Sequence, residues 1–144
     1  MNEMKNHYRD EEIIKLNMSS ELKLWEENMS FMEQEIGFYL RLLQKSSFFK
    51  SEKNVEDLKF LVKQLQDIHE MNSQNSKLLR EYKLKAENIR ECDDVQCENQ
   101  YVQEHLHVKS SFQKHLKRSQ IVKGFVFKYI LENMQEVQHS REHF

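Results

Sequence analysis

The sequence predicts an all-α fold: an elongated, antiparallel up-down-up bundle of three helices with coiled-coil-like heptad packing. Three observations carry that expectation. Apolar residues recur at alternating spacings of three and four over long stretches, the pattern of a helix laid along other helices. There is no proline, and the only glycines are Gly37 and Gly124, so almost nothing interrupts a helix or builds a tight strand turn. Hydrophobic residues make up 38% of the 144, low for a compact globule but enough for one domain, 1–144, with a thin core.

Helix one is expected over about 10–46. Asp10, followed by Glu11 and Glu12, reads as an N-cap with acids in the first turn, where they complement the helix dipole. The seam runs through Met18, Leu22, Trp25, Met29, Met32, Ile36, Tyr39 and Leu43. A second row, Phe31, Phe38 and Leu42, makes the stripe broad enough to need more than one partner helix. The segment 46–51 breaks the pattern, with Phe48 and Phe49 expected to fold over the end of the core and Ser51 and Asn54 offered as caps.

Helix two, over about 53–92, continues the alternation through Leu58, Leu61, Leu65, Ile68, Asn72, Asn75, Leu79, Tyr82, Ala86 and Ile89. The polar run 71–76 could be a loop and give four helices. Its phase is unbroken on both sides, which favours helix. Asp93 and Asp94 mark the next turn. Helix three, over about 96–139, carries Tyr101, His105, Val108, Phe112, His115, Ser119, Val122, Val126, Tyr129 and Asn133, so the three helices should have similar lengths. This periodicity, with Trp25 in the seam of helix one, resembles antiparallel three-helix coiled coils of the spectrin-repeat kind. The likeness implies the bundle and no binding residue.

Composition narrows the function classes. Charged residues are 32% of the chain, interspersed in sign, with a net charge of −2. A nucleic-acid binder would show a basic surplus or stripe, and the short cluster His115, Lys117, Arg118 reads instead as a solvated helix face. No apolar run reaches the roughly 18 to 20 residues of a membrane span, and Met1–Glu12 is too polar and acidic for a signal peptide, so a cytoplasmic location with no membrane partner is expected. Cys92 and Cys97 match neither a zinc knuckle nor a redox CxxC motif. Two free thiols are expected, since a disulfide requires their Cα atoms within about 7 Å and a cytosolic setting disfavours it.

No catalytic or nucleotide-binding motif is present, so the expected protein is not an enzyme and carries no cofactor. Aligning the helices from their turns brings Trp25, Asn72, Asn75 and His115 to one level, a polar core layer of the kind that fixes register. In the stretch Ile121–Leu131 the seam uses Val122, Val126 and Tyr129, which leaves Ile121, Phe127 and Leu131 over, with Gly124 at a similar angle. Either Phe48 and Phe49 or the amino-terminal tail covers part of that surplus, or it is an interaction patch with a homodimer or another protein as partner.

The alternative function is a metal- or small-ligand-binding bundle with ferritin-like or hemerythrin-like chemistry. Its candidates are Glu35, flanked by Phe31, Met32, Phe38 and Tyr39, together with His69, His105, His107 and His115. Glu104 with His107, and Glu136 with His139, have the Glu-x-x-His spacing of di-iron bundles, and His139 with His143 could grip zinc. These groups do not converge when the helices are aligned, and Glu35 is expected to reach water or a neighbouring Lys.

Overall fold

The computed structural model describes residues 2–45 and 55–142, with side chains placed over 15–45, 55–89 and 91–134. The described residues form a three-helix bundle: α1 (Asn2–Lys45), α2 (Val55–Ala86) and α3 (Val95–Glu142), with a 3-10 helix at Glu87–Glu91 after α2. No strand occurs among them. The expected roles of Phe48, Phe49, Ser51, Asn54, His139 and His143 lie outside the described residues or side chains.

Helix boundaries depart from the sequence expectation at both termini of the bundle. α1 starts at Asn2 rather than near residue 10, because residues 2–9 contain no proline or glycine to stop it, so Asp10 lies inside the helix rather than capping it. Over the described residues the helices span 44, 32 and 48 residues, and the 3-10 helix Glu87–Glu91 follows directly on α2. The polar run 71–76 is helical within a continuous α2.

The α2–α3 turn is built locally. Cys92 leaves the 3-10 helix in an extended conformation, its N–H bonding the Ile89 carbonyl at 3.2 Å. Asp94 caps α3 by accepting a hydrogen bond from the Cys97 backbone N–H at 2.8 Å, satisfying one of the free donors of the first turn. This path holds the Cα atoms of Cys92 and Cys97 5.6 Å apart, within reach of a disulfide, and the two sulfurs are bonded. The expectation of two free thiols is therefore corrected. The spacing in sequence did not disclose how tightly the extended Cys92 and the Asp94 cap fold the intervening residues.

Contacts group the described residues into two compact units, each drawing on all three long helices. The first comprises Met1–Phe31 with Gln74–Gln113, and the second Met32–Ser73 with Lys114–Phe144. In the first, Met18, Leu22, Trp25 and Met29 of α1 are buried, as are Leu79, Tyr82 and Ala86 of α2 and His105 and Phe112 of α3. The core of the second is one continuous cluster, with Met32, Ile36, Tyr39 and Leu43 from α1, Leu61, Leu65 and Ile68 from α2, and Val122, Val126 and Tyr129 from α3. Each fully buried aliphatic side chain of this kind contributes about 1.5 to 3 kcal/mol relative to exposure.

Pairings within each unit fix the registers. In the first, Lys15 meets Glu98 and Glu21 meets Lys109, each at 3.1 Å, so residue numbers rise together along α1 and α3. Glu26 pairs with Lys83 at 3.1 Å and Met29 accepts from Ser76 at 3.4 Å, so α1 and α2 run oppositely there. In the second unit Glu35 meets Lys123 at 3.0 Å and the Tyr39 ring meets that of Phe127 at 5.5 Å, again with numbers rising together. These ion pairs are partly exposed and add little stability individually.

Candidate functional site

In the first unit the most polar buried group is His105, carried inward by the same three-four spacing as Phe112. Its ring stacks on Trp25, with centroids 5.0 Å apart and planes 23° from parallel, and Phe112 lies 5.5 Å from the same indole. The Tyr82 hydroxyl lies 2.9 Å from His105 Nδ1. In the tautomer protonated on Nε2, Tyr82 donates that bond and the Nε2–H faces Glu21 at 3.9 Å, too far for a hydrogen bond. Burial pushes the Tyr82 phenol well up, reinforced by the Glu104 and Glu21 carboxylates, so it remains a donor. Burial holds His105 below its ordinary value of 6.5; Glu21 opposes this and Lys109 adds to it.

The second unit buries a different histidine. His115 Nε2 lies 3.1 Å from the Asn72 side-chain oxygen, which accepts its proton in the tautomer that carries one there. His115 Nδ1 and Ser119 Oγ, one helical turn apart, have no hydrogen-bond partner among the described residues. Burial, then the neighbouring Arg118, lowers the His115 pKa from 6.5. Glu35 bonds Lys123 and accepts from the Tyr39 hydroxyl at 3.2 Å. The Tyr39 phenol is pushed up to about 12 by burial and then by Glu35, both through its charge and through that hydrogen bond.

The four residues expected to share one polar layer fall two to each unit. Asn72 and His115 bond in the second, whereas Trp25 and Asn75 line a cavity of about 280 Å³ in the first, together with Met29, Tyr82, His107 and Phe112. The residues of the metal reading are likewise dispersed. Glu35, His69 and His115 belong to the second unit, and His105 and His107 to the first. Among the described residues no three His, Cys, Asp or Glu side chains gather closely enough to hold a metal ion. Glu104 is turned toward Lys85, at 3.9 Å.

The expected interaction patch is exposed but not gathered on one line. Ile121 and Phe127 are 53% and 50% exposed, and at 100° per residue their six-residue separation puts them about 120° apart around α3. Phe127 and Leu131 follow one line, Phe127 packing its edge on Tyr39, and a Cβ added at Gly124 meets nothing within 4 Å. Ile121 turns the other way, toward α2, into a groove of about 370 Å³ with Phe60 and Phe125 at its walls and Lys114, Lys117 and Arg118 along it. That groove was not anticipated. Its signal is present in the sequence, since 114, 117, 118, 121 and 125 share one helical face, but the basic residues alone resemble a solvated surface.

Two buried histidines held neutral make stability depend on pH with a definite sign. Between the lowered folded values and about 6.5 the unfolded chain binds more protons than the folded one, so stability rises with pH in that window. Denaturation midpoints should therefore fall from about pH 7.5 to about pH 5.5, and His115→Asn should flatten that slope. A midpoint that rises on acidification, or a slope unchanged in the variant, would contradict the burial of neutral His115. Comparison of the chain with protein-family models, curated proteins and solved structures finds no match.

Proposed function

We propose that this chain is a non-enzymatic helical interaction module that associates with a second copy of itself through the outward face of α3 in the second unit. The observation that carries the reading is the apolar surplus between residues 121 and 134. The inward line there is filled by Val122, Val126, Tyr129 and Asn133, yet Phe127, Leu131 and Met134 are all half exposed or more. Apolar side chains clustered in this way on a small protein mark association surfaces, and a symmetric dimer is the simplest way to cover them. Gly124 leaves the same side of α3 open to close approach by another backbone.

Among the described residues no helix is long and apolar enough to cross a membrane. A cytoplasmic location accords with the composition, while the Cys92–Cys97 bond favours an oxidising compartment, where such bonds persist. Self-association is compatible with either.

Phe127→Glu and Leu131→Glu test the reading. Each is expected to convert a dimer to a monomer in sedimentation while shifting the melting temperature by only a few degrees, since both side chains are half exposed or more. A variant that keeps the parent's mass but melts far lower would place that side chain in the internal core and remove the basis of the proposal.

A further inference from the structure

We infer that the groove between α2 and α3 in the second unit is a binding site for a single-chain carboxylate amphiphile, a fatty acid of about ten to twelve carbons. Its volume of about 370 Å³ falls in the range of small-ligand sites, which are mostly apolar with a few placed polar groups. Phe60 and Leu61 of α2 and Ile121, Val122 and Phe125 of α3 form its apolar part. Three of these are more than half exposed: Phe60 at 59%, Ile121 at 53% and Phe125 at 55%.

The polar part lies at one end. Arg118 donates to the Met71 sulfur at 2.8 Å and His115 meets Asn72 at 3.1 Å, so residue numbers run oppositely along α2 and α3. Gln64, seven residues before Met71, is therefore level with Phe125, seven residues after Arg118, so Phe60, Leu61 and Gln64 all lie toward the Phe125 end. None of the three cations lies within ion-pair distance of a carboxylate among the described residues. Arg118 is half-buried and already held by Met71, which positions its guanidinium before a ligand arrives.

This lengthwise segregation, cations at one end and aromatic side chains at the other, matches a molecule with a charged head and an apolar tail. A docked amphipathic helix would instead call for charge along the flanks of an apolar strip. The eleven steps from Lys114 to Phe125 rise about 16 Å along α3, room for an extended chain of about ten to twelve carbons. The carboxylate would sit between Lys114, Lys117 and Arg118, with the tail along Ile121 to Phe125 and Phe60.

Titration calorimetry of the full chain with decanoate, below its micelle concentration, tests the site. The expected result is saturable binding of one decanoate per chain, with amide shifts in nuclear magnetic resonance concentrated at Phe60, Gln64, Ile121 and Phe125. Phe125→Glu should weaken binding by about tenfold or more, and the double variant Lys114→Glu, Lys117→Glu by about fivefold at low salt and less at high salt. All three side chains are exposed, so both variants should keep the parental melting temperature, and either alone suffices if the other fails to fold. Equal affinity for decyltrimethylammonium, shifts confined to other residues, or no saturable binding would overturn the inference. So would an acidic amphipathic peptide that binds at these residues while decanoate does not. Substituting Phe125 rather than Phe127 keeps loss of the ligand separable from loss of the dimer.

Discussion

Trp25→Ala is expected to lower the stability of the protein by about 3 to 5 kcal/mol, the cost of emptying a large aromatic site in a packed interior. Trp25 is 4% exposed, and its indole is the surface on which both His105 and Phe112 rest. Removing it takes away more than area. His105 keeps its bond to Tyr82 but loses the ring that shields it from solvent, so its pKa should rise back toward 6.5. The variant should therefore lose stability at neutral pH and show a weaker acid dependence than the parent. A loss below about 1 kcal/mol in chemical denaturation, as at exposed positions, would overturn the placement of Trp25 and with it the inward line of α1.

Ile36→Ala should cost about 2 to 5 kcal/mol, whereas Phe38→Ala, two residues on and a larger truncation, should cost no more than about 0.5 kcal/mol. Ile36 has no exposed surface and lies in the cluster with Leu65 and Val126; Phe38 is 60% exposed and meets the Tyr39 ring edge to face, with centroids 5.8 Å apart. The contrast isolates rotation about the α1 axis from side-chain size. Equal losses would mean that α1 presents a different face to its neighbours.

Much of each inward line was legible because one physical rule, burial of apolar surface at helical spacing, governs it, although Leu58, Asn75, Tyr101 and Val108 on the expected rows are only half-buried. Met18 through Leu43 are buried without exception along the α1 row, and Leu65, Ile68, Val122 and Val126 likewise. The same rule placed Asn72, His105, His115, Ser119 and Asn133 inside, where their polarity alone argued for the surface.

What the sequence left hidden depends on groups meeting between helices. The Trp25–His105 stacking and the Asn72–His115 bond each require a level on one helix to match a level on another to within a fraction of a turn, and counting from the turns does not reach that accuracy. Helix ends drift for the same reason, because without proline or glycine only weak caps decide where a helix stops. The Cys92–Cys97 bond followed from one extended residue and one Asp cap, details below the resolution of periodicity. The α2–α3 groove escaped because its two halves, Phe60 and the basic face of α3, are far apart in the chain.

The mass of the native protein tests self-association through α3 most directly. Native mass spectrometry of chain purified without a metal-binding tag should show a dimer of the 17.6 kDa chain, reduced to a single chain by Phe127→Glu. A monomer at every concentration would contradict self-association through α3, and a monomer carrying one or two stoichiometric metal ions would return attention to Glu35 and the histidines.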